Sequence, residues 1–310
     1  MDLTVLRLLR SLGIALLTLL ILLTLAFFLL RMAPGSPLAT KLVTSAQVYE
    51  NLEHYYGLDR SLFEQYLAFM ERLLFRFDLG PSFNYTDRSV NEILAGAMPP
   101  SAAIGGIAIL CVVIGGFVLG AAGALARGTL VDVVIVAVTA IVQVVPSFVI
   151  APLLVLVFTL GLRLFPGGGW NGGAPGNLVL PVLTVVLAQT PNVARLVRLS
   201  MIEVLGSAYV LAARARGMPP VRLFVQHVLR PSLLPVIAYF GTLPVPLFGS
   251  VILVDMYFST GGMGNVFIDA LYARDYSLAL GVTLIGGVVV LAANTLSEFA
   301  LTLLDPRVRR

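Results

Sequence analysis

Three carboxylates stand where charge is expensive: Asp132 opens one long apolar stretch, while Asp255 and Glu298 lie near the ends of two others. Paired ionisable groups deep in a membrane carry protons or sodium, whereas groups near span ends more often tie helices together as ion pairs. Topology offers Arg274 to Asp255 and Arg195 or Arg198 to Glu298 as partners. Hydrolytic chemistry finds no support. A phosphate-binding Gly-Lys-Ser/Thr loop needs a lysine, and the only one, Lys41, lies between Thr40 and Leu42. Gly261-Gly262-Met263-Gly264 has no lysine after it and reads as a re-entrant turn. No His-Glu-x-x-His motif occurs, and His54 and His227 fall outside the apolar segments. The single cysteine, Cys111, excludes an internal disulfide and reads as a small buried apolar residue. No catalytic, cofactor-binding or metal-ligating residue is therefore assigned.

The stretch from Ser207 to Pro220, SAYVLAARARGMPP, suggests a different kind of site. Ser207 can cap a helix, Gly217 can adopt the left-handed conformation that ends it, and Pro219 with Pro220 forbids continuation. About ten residues, two to three turns, remain. Ala208, Ala212, Ala213 and Ala215 let another surface approach closely, while Arg214 and Arg216 offer charge to a partner or to anionic headgroups. Such a helix suits docking rather than catalysis.

Membrane-spanning helices must position these groups. Of 310 residues, 58% are hydrophobic and only 12% charged, which places the chain in the membrane class. The uncharged run from Leu12 to Leu30 is about 20 residues long, enough to cross a hydrocarbon core of about 30 Å. It reads as an uncleaved first helix, because a signal peptide would have a shorter apolar region and a small-residue cleavage site. Five further spans follow, at Ala102–Ala126, Val133–Leu162, Leu178–Ala194, Leu233–Val254 and Leu278–Leu304. Pro146 and Pro152 predict a tilted or kinked third span. The expected fold is all-α and polytopic, with six transmembrane helices.

Six spans put both termini on one side, and twelve of the twenty basic residues then fall on that side, from Arg7 and Arg10 to Arg307, Arg309 and Arg310. The positive-inside bias makes it cytoplasmic. The net charge of +4 follows from that bias, so no nucleic-acid partner is inferred. The chain divides into residues 1–31 (stub and first helix), 32–101 (extracytoplasmic segment) and 102–310 (core, with a cytoplasmic loop at about 199–231). Within the outer segment, Leu62, Tyr66, Phe69, Leu73 and Leu74 keep a helical rhythm. Tyr55, Tyr56, Phe63, Phe75 and Phe77 add aromatic surface, read mainly as packing against the membrane domain. The Gly-rich loop Pro166–Asn177 forms an irregular outer mouth with Trp170 as an interfacial anchor or contact. Gln143, Pro146, Phe148, Phe248 and Tyr257 are candidates either to line a path or to pack in the bundle.

With the basic loop placed inside, the chain resembles the integral-membrane permeases of ATP-binding-cassette importers, specifically the first permease subunit of the dipeptide, oligopeptide and nickel group. Tyr209–Gly217, YVLAARARG, is similar to that group's version of the cytoplasmic Glu-Ala-Ala loop. By register Leu211 stands where the broader family has Glu, Ala212 and Ala213 fill the Ala positions, and Gly217 fills the Gly. Further similar stretches are Tyr56–Asp59, Asp78–Gly80, Ala194–Arg198, His227–Arg230, Arg274–Tyr276 and Asp305–Arg307. Two positions depart from the pattern: Asp255 replaces the group's usual Glu, and Gly262 its usual Pro.

The resemblance implies a type I importer fold and a non-catalytic subunit whose helix Tyr209–Gly217 (Tyr209, Leu211, Ala212, Ala213, Arg214, Ala215, Arg216, Gly217) couples to ATPases. The implied partners are a second, related permease, two ATPase subunits or one fused ATPase, and an extracytoplasmic binding protein. No cofactor is expected on this chain, since ATP and magnesium would sit on the ATPases. The implied cargo is peptides, with nickel or another small solute as the alternative, and a stand-alone secondary transporter as the less favoured one.

Overall fold

The computed structural model describes residues 3–33, 35–38, 46–85 and 87–304. Lys41 and the segment containing Asp305-Pro306-Arg307, Arg309 and Arg310 lie outside the described residues. Helices α1 to α13 are, in order, Leu3–Met32, Ala46–Tyr55, Leu62–Arg76, Val90–Leu125, Leu130–Val144, Ser147–Leu154, Pro175–Leu205, Ala208–Ala215, Pro220–Leu223, Arg230–Thr242, Pro244–Phe258, Met263–Tyr272 and Tyr276–Leu304. Among the described residues the only β pairing is an isolated bridge between Pro81 and Ser89.

Five stretches are singly long and apolar enough to cross a bilayer: α1 from Arg10, α4, α7, Pro220–Thr242 and α13. The third expected span is instead broken by 101° between α5 and α6. Pro146 accounts for the break, because it drives Val145 into an extended conformation (φ −81°, ψ 118°). Pro152 breaks nothing. It lies inside α6, which continues as a π-helix over Val155–Gly161. Each half is about 22 Å long, short of a hydrocarbon core, so only together do they make one span. The fifth span runs through α10 and α11, because Leu243 between them keeps helical dihedrals (φ −55°, ψ −37°). Beyond it the chain bends by 79° into α12, whose ten residues are too few to cross. Six crossings result, as expected from the sequence.

Helix boundaries moved outward from the expected ones. α4 begins at Val90, not near Ala102, because Ser89 and Glu92 form a reciprocal capping box that starts the helix well outside the apolar run. α7 continues to Leu205, eleven residues past the expected Ala194; arginines at its surface do not stop a helix, and Pro181 and Pro191 are accommodated within it.

The α4–α7 pair is the largest helix interface in the fold. Gly116 and Gly120 permit it. A Cβ on Gly116 would lie 2.6 Å from Val193 Cβ, and one on Gly120 would lie 2.4 Å from the Ala194 carbonyl oxygen. Small residues at a four-residue spacing let two backbones approach to that distance.

The segment between α1 and α4 folds onto the end of the bundle opposite α8. Phe27 of α1, Phe69 of α3 and Leu278 of α13 share one buried cluster, and the Phe27 ring stacks on Phe69 at 5.6 Å. Arg31 is sandwiched there, its guanidinium 4.6 Å from the Phe27 ring centroid and bonded to Gln65. Asp275, fully buried, accepts hydrogen bonds from Ser82 Oγ and from the backbone N–H groups of Asn84 and Leu278. The aromatic residues therefore divide. Phe69 packs inward, while Tyr55, Phe63, Phe75 and Phe77 stay exposed.

Candidate functional site

Two regions concentrate the residues singled out above, one at each end of the bundle. At the end where α4 and α7 finish, α8 forms from Ala208 to Ala215. It is shorter than expected and capped differently. Ser207 has the extended backbone of a cap residue, but its hydroxyl donates back to the Val204 carbonyl (2.6 Å), so it closes α7 instead of opening α8. The other end is as expected. Gly217 takes φ +77°, its N–H donates to Arg214 O (3.0 Å), and the Met218 N–H reaches Ala213 O (3.3 Å), a C-terminal closure that uses the left-handed residue.

α8 has two faces. Val210 and Ala213 are buried in a cluster with Ala121 and Ala124 of α4, Val197 and Met201 of α7, and Leu223. Ala213 thus packs within its own subunit and is unavailable to a partner. The outward face carries Tyr209 (47% exposed), Leu211 (51%), Ala212, Arg214, Ala215 and Arg216. Tyr209 reaches back to the His227 carbonyl (3.4 Å), tying α8 to the segment after it, and Arg216 Nε donates to Ala212 O (3.3 Å) within the last turn. With apolar and cationic groups on a rigid convex helix, this face can fill a groove lined by apolar and acidic groups. Nothing in it resembles a nucleophile with a base.

The same end holds an ion pair that differs from the expected ones. Arg198 of α7 forms a fork with Asp132 at the start of α5, Nε–Oδ1 at 2.7 Å and Nη2–Oδ2 at 2.8 Å. Glu298 is not its partner, since it lies beside α1 and accepts from Ser11. Arg195 bonds Gln143, whose amide in turn donates to Asn192 (2.8 Å). These contacts brace the α5–α6 break against α7. The signal was in the sequence: Asp132 stands three residues after Thr129 of a Gly-Thr turn, in the first turn of α5, in reach of an arginine near the end of α7.

At the opposite end, Asp255 is fully buried. It does not meet Arg274, whose guanidinium lies against Gly35. Its carboxylate accepts from Ser101 Oγ, from Thr260 Oγ1 and from the Gly264 N–H (3.1 Å), and Ser101 also accepts from the Met263 N–H (2.7 Å). One side chain thereby fixes the α11–α12 turn and ties it to α4. The two departures from the group's pattern lie side by side: a Cβ on Gly262 would sit 2.5 Å from both the Asp255 carboxylate and Ser101 Oγ, so a side chain there would have to push those two groups apart. Asp255→Ala is expected to leave donors at Ser101, Thr260 and Gly264 without an acceptor, at about 1–3 kcal/mol each. The apparent melting temperature in detergent should fall well below that of Asp255→Asn, which keeps one acceptor oxygen; equal values would refute the role of the carboxylate as acceptor.

Ser101 and Met263 also border a cavity of about 350 Å³ between α4, α11 and α13, lined further by Leu247, Phe248 and Val251. Phe248 packs against Gly286, where a Cβ would come within 2.7 Å of its ring. Phe148 and Tyr257 remain exposed. The Pro166–Asn177 loop is irregular apart from one 3-10 turn at Asn171–Gly173 before α7 begins at Pro175, and it docks on α11, the Gly169 N–H bonding Phe258 O at 2.7 Å. Cys111 is exposed, not buried, because Ala108 and Val112 take the inward face of α4.

Residues 113–310 match the family described as binding-protein-dependent transport system inner membrane component. The chain is 38% identical to the oligopeptide transport system permease protein OppB of Haemophilus influenzae, over 95% of this chain and 96% of that protein. It is 38% identical to OppB of Escherichia coli K12, over 94% and 95% of the two chains. It is 36% identical to the dipeptide transport system permease protein DppB of Bacillus subtilis, over 94% of each. A crystal structure of an amino acid ABC transporter with histidines superposes with a TM-score of 0.54 at 13% identity, covering 69% of this chain and 95% of that one, a likeness of fold.

Proposed function

Because the chain belongs to the binding-protein-dependent transport system inner membrane components and is a multi-pass permease subunit of the ATP-binding-cassette importer class, we propose that it forms half of a peptide-conducting path driven by ATPases that dock on α8. The observation that carries the cargo is identity of 33–38% over nearly the whole chain to oligopeptide and dipeptide permeases. A second, related permease supplies the other half of the path, two ATPase subunits or one fused ATPase bind ATP and magnesium, and an extracytoplasmic binding protein delivers peptide to the mouth near Trp170. This subunit itself holds no cofactor and catalyses no reaction. Both termini and α8 lie on the cytoplasmic side.

The physical support is the way α8 is attached. Its inner face is locked into the same cluster as α4 and α7, and packed clusters move as units instead of deforming. A displacement of α8 is therefore passed to α7, a rod about 46 Å long. Midway along it, Gln189 Nε2 donates to Ser250 Oγ of α11 (3.0 Å), and α11 ends at the Asp255 turn. Closure of ATPases at one end thus has a continuous route to the outer turn, and alternating access follows if nucleotide and loaded binding protein favour different positions of this unit.

ATP hydrolysis by the chain co-purified with its neighbouring gene products in nanodiscs tests the reading. Hydrolysis stimulated by a binding protein loaded with mixed short peptides, and only with all components present, is the expected result. Hydrolysis indifferent to peptide would reject the cargo, and failure to associate with any ATPase would reject the coupling role.

A further inference from the structure

At the end of the bundle where α1 begins and α13 finishes, the two helices part to leave a cavity of about 750 Å³. Arg10, Ser11 and Thr18 line it from α1, and Asn294, Thr295 and Glu298 from α13, over an aliphatic floor. Arg10 stands two residues before the uncharged apolar run that opens at Leu12, so this cavity lies at the membrane surface. The three threonine hydroxyls of the lining donate to their own helices, Thr18 to Ile14 O (2.8 Å), Thr295 to Leu291 O (2.9 Å) and Thr302 to Glu298 O (2.9 Å). Arg10 and Glu298 share the wall without pairing. Among the described residues the Arg10 side chain has no hydrogen bond or ion pair, and the Glu298 carboxylate accepts from Ser11 alone.

A cation and an anion on facing helices, beside lipid and without a charged partner among the described residues, are stabilised by a ligand that carries both opposite charges. We propose that the cavity binds the headgroup of an aminophospholipid of the ethanolamine type, its phosphate on Arg10 and its primary ammonium on Glu298. Purely anionic lipids would satisfy Arg10 but face the Glu298 carboxylate. A choline headgroup has no N–H to donate to that carboxylate, so it forgoes the charge-assisted hydrogen bond. A lipid, not a soluble phosphate ester, is the occupant because the cavity face of α1 continues toward the bilayer centre as the exposed row Ile14, Ile21 and Leu25 (55%, 50% and 58% exposed), at spacings that keep one helical face and suit an acyl chain. The site is independent of the cargo and of the ATPases.

Full-length chain in nanodiscs of phosphatidylglycerol mixed with either phosphatidylethanolamine or phosphatidylcholine, transferred to mild detergent, tests this by native mass spectrometry of retained lipid. Phosphatidylethanolamine should be retained at least about tenfold better than either other lipid, the equivalent of one charge-assisted contact. Glu298→Gln should erase the preference over phosphatidylcholine, and Arg10→Gln should erase retention of both. Equal retention of the three lipids by the unaltered chain would overturn the proposal without reference to any variant. Unchanged preference in Glu298→Gln, or displacement of bound lipid by soluble phosphoethanolamine, would overturn it too.

Discussion

Substrate-stimulated ATP hydrolysis is expected to vanish in Gly217→Pro while the subunit still inserts and assembles its bundle. Three constraints converge on this position. Gly217 has φ +77°, and proline is locked near −65°. Its N–H donates to Arg214 O at 3.0 Å, and proline has none to give. Arg216 before it sits at φ −79°, ψ 7°, outside the extended region that a residue preceding proline prefers. Removing the closure at about 3 kcal/mol or more frees the last turn of α8, so Arg214 and Arg216 lose their place, while Val210 stays buried and keeps the first turn attached. Gly217→Ala separates conformation from size. No atom lies within 4 Å of a Cβ built there, so alanine carries only the left-handed penalty of about 1–2 kcal/mol and should retain partial stimulation. Stimulation ordered unaltered, alanine, proline supports the lever; full stimulation in the proline variant would sink it.

How far the sequence reached can be judged at single residues. The number of crossings and the position of α8 were legible because both depend on local signals: apolar runs, a glycine, two prolines. The site's outer residues were legible too, since Leu211, Arg214 and Arg216 needed only an exposed helix to be placed. Partners across the bundle were not. Arg198 was paired with the wrong carboxylate because which arginine meets which acid depends on how far α7 extends and how α5 leans, quantities set by packing and not by spacing. The start of α4 was missed for a different reason: hydropathy marks where apolar residues begin, whereas Ser89 and Glu92 mark where helical hydrogen bonding begins. That Asp255 and Gly262 lie side by side was not legible either, because that proximity is made by the turn between α11 and α12 and not by spacing.

The route from α8 to the outer turn also depends on a single seam, so Gly120→Val is expected to abolish the folded subunit. A Cβ at this position would lie 2.4 Å from the Ala194 carbonyl oxygen, 2.7 Å from Val197 Cβ and 2.9 Å from Val197 Cγ1. The first of these atoms is backbone in the interior of α7, and it cannot turn aside as a flexible side chain would. Valine adds two further methyl groups to a contact that one carbon already violates, so the helices must separate, and overpacking of about 1–3 kcal/mol becomes loss of the interface. Separation at Gly120 also displaces Val197, whose cluster holds Val210 and Ala213 of α8, so a milder variant should strike coupling along with stability. Gly120→Ala is that variant: it should lower the apparent melting temperature and, in the fraction that folds, weaken peptide stimulation of hydrolysis. Gly96→Ala on the same helix provides the contrast, because nothing lies within 4 Å of its added carbon and alanine favours helix over glycine by about 1 kcal/mol. Size-exclusion chromatography and thermal unfolding of the three variants decide the matter. A monodisperse Gly120→Val with unaltered stability would mean that α4 and α7 are not held at the distance on which transmission from α8 relies, and a destabilised Gly96→Ala would mean that glycine on α4 serves something other than close approach.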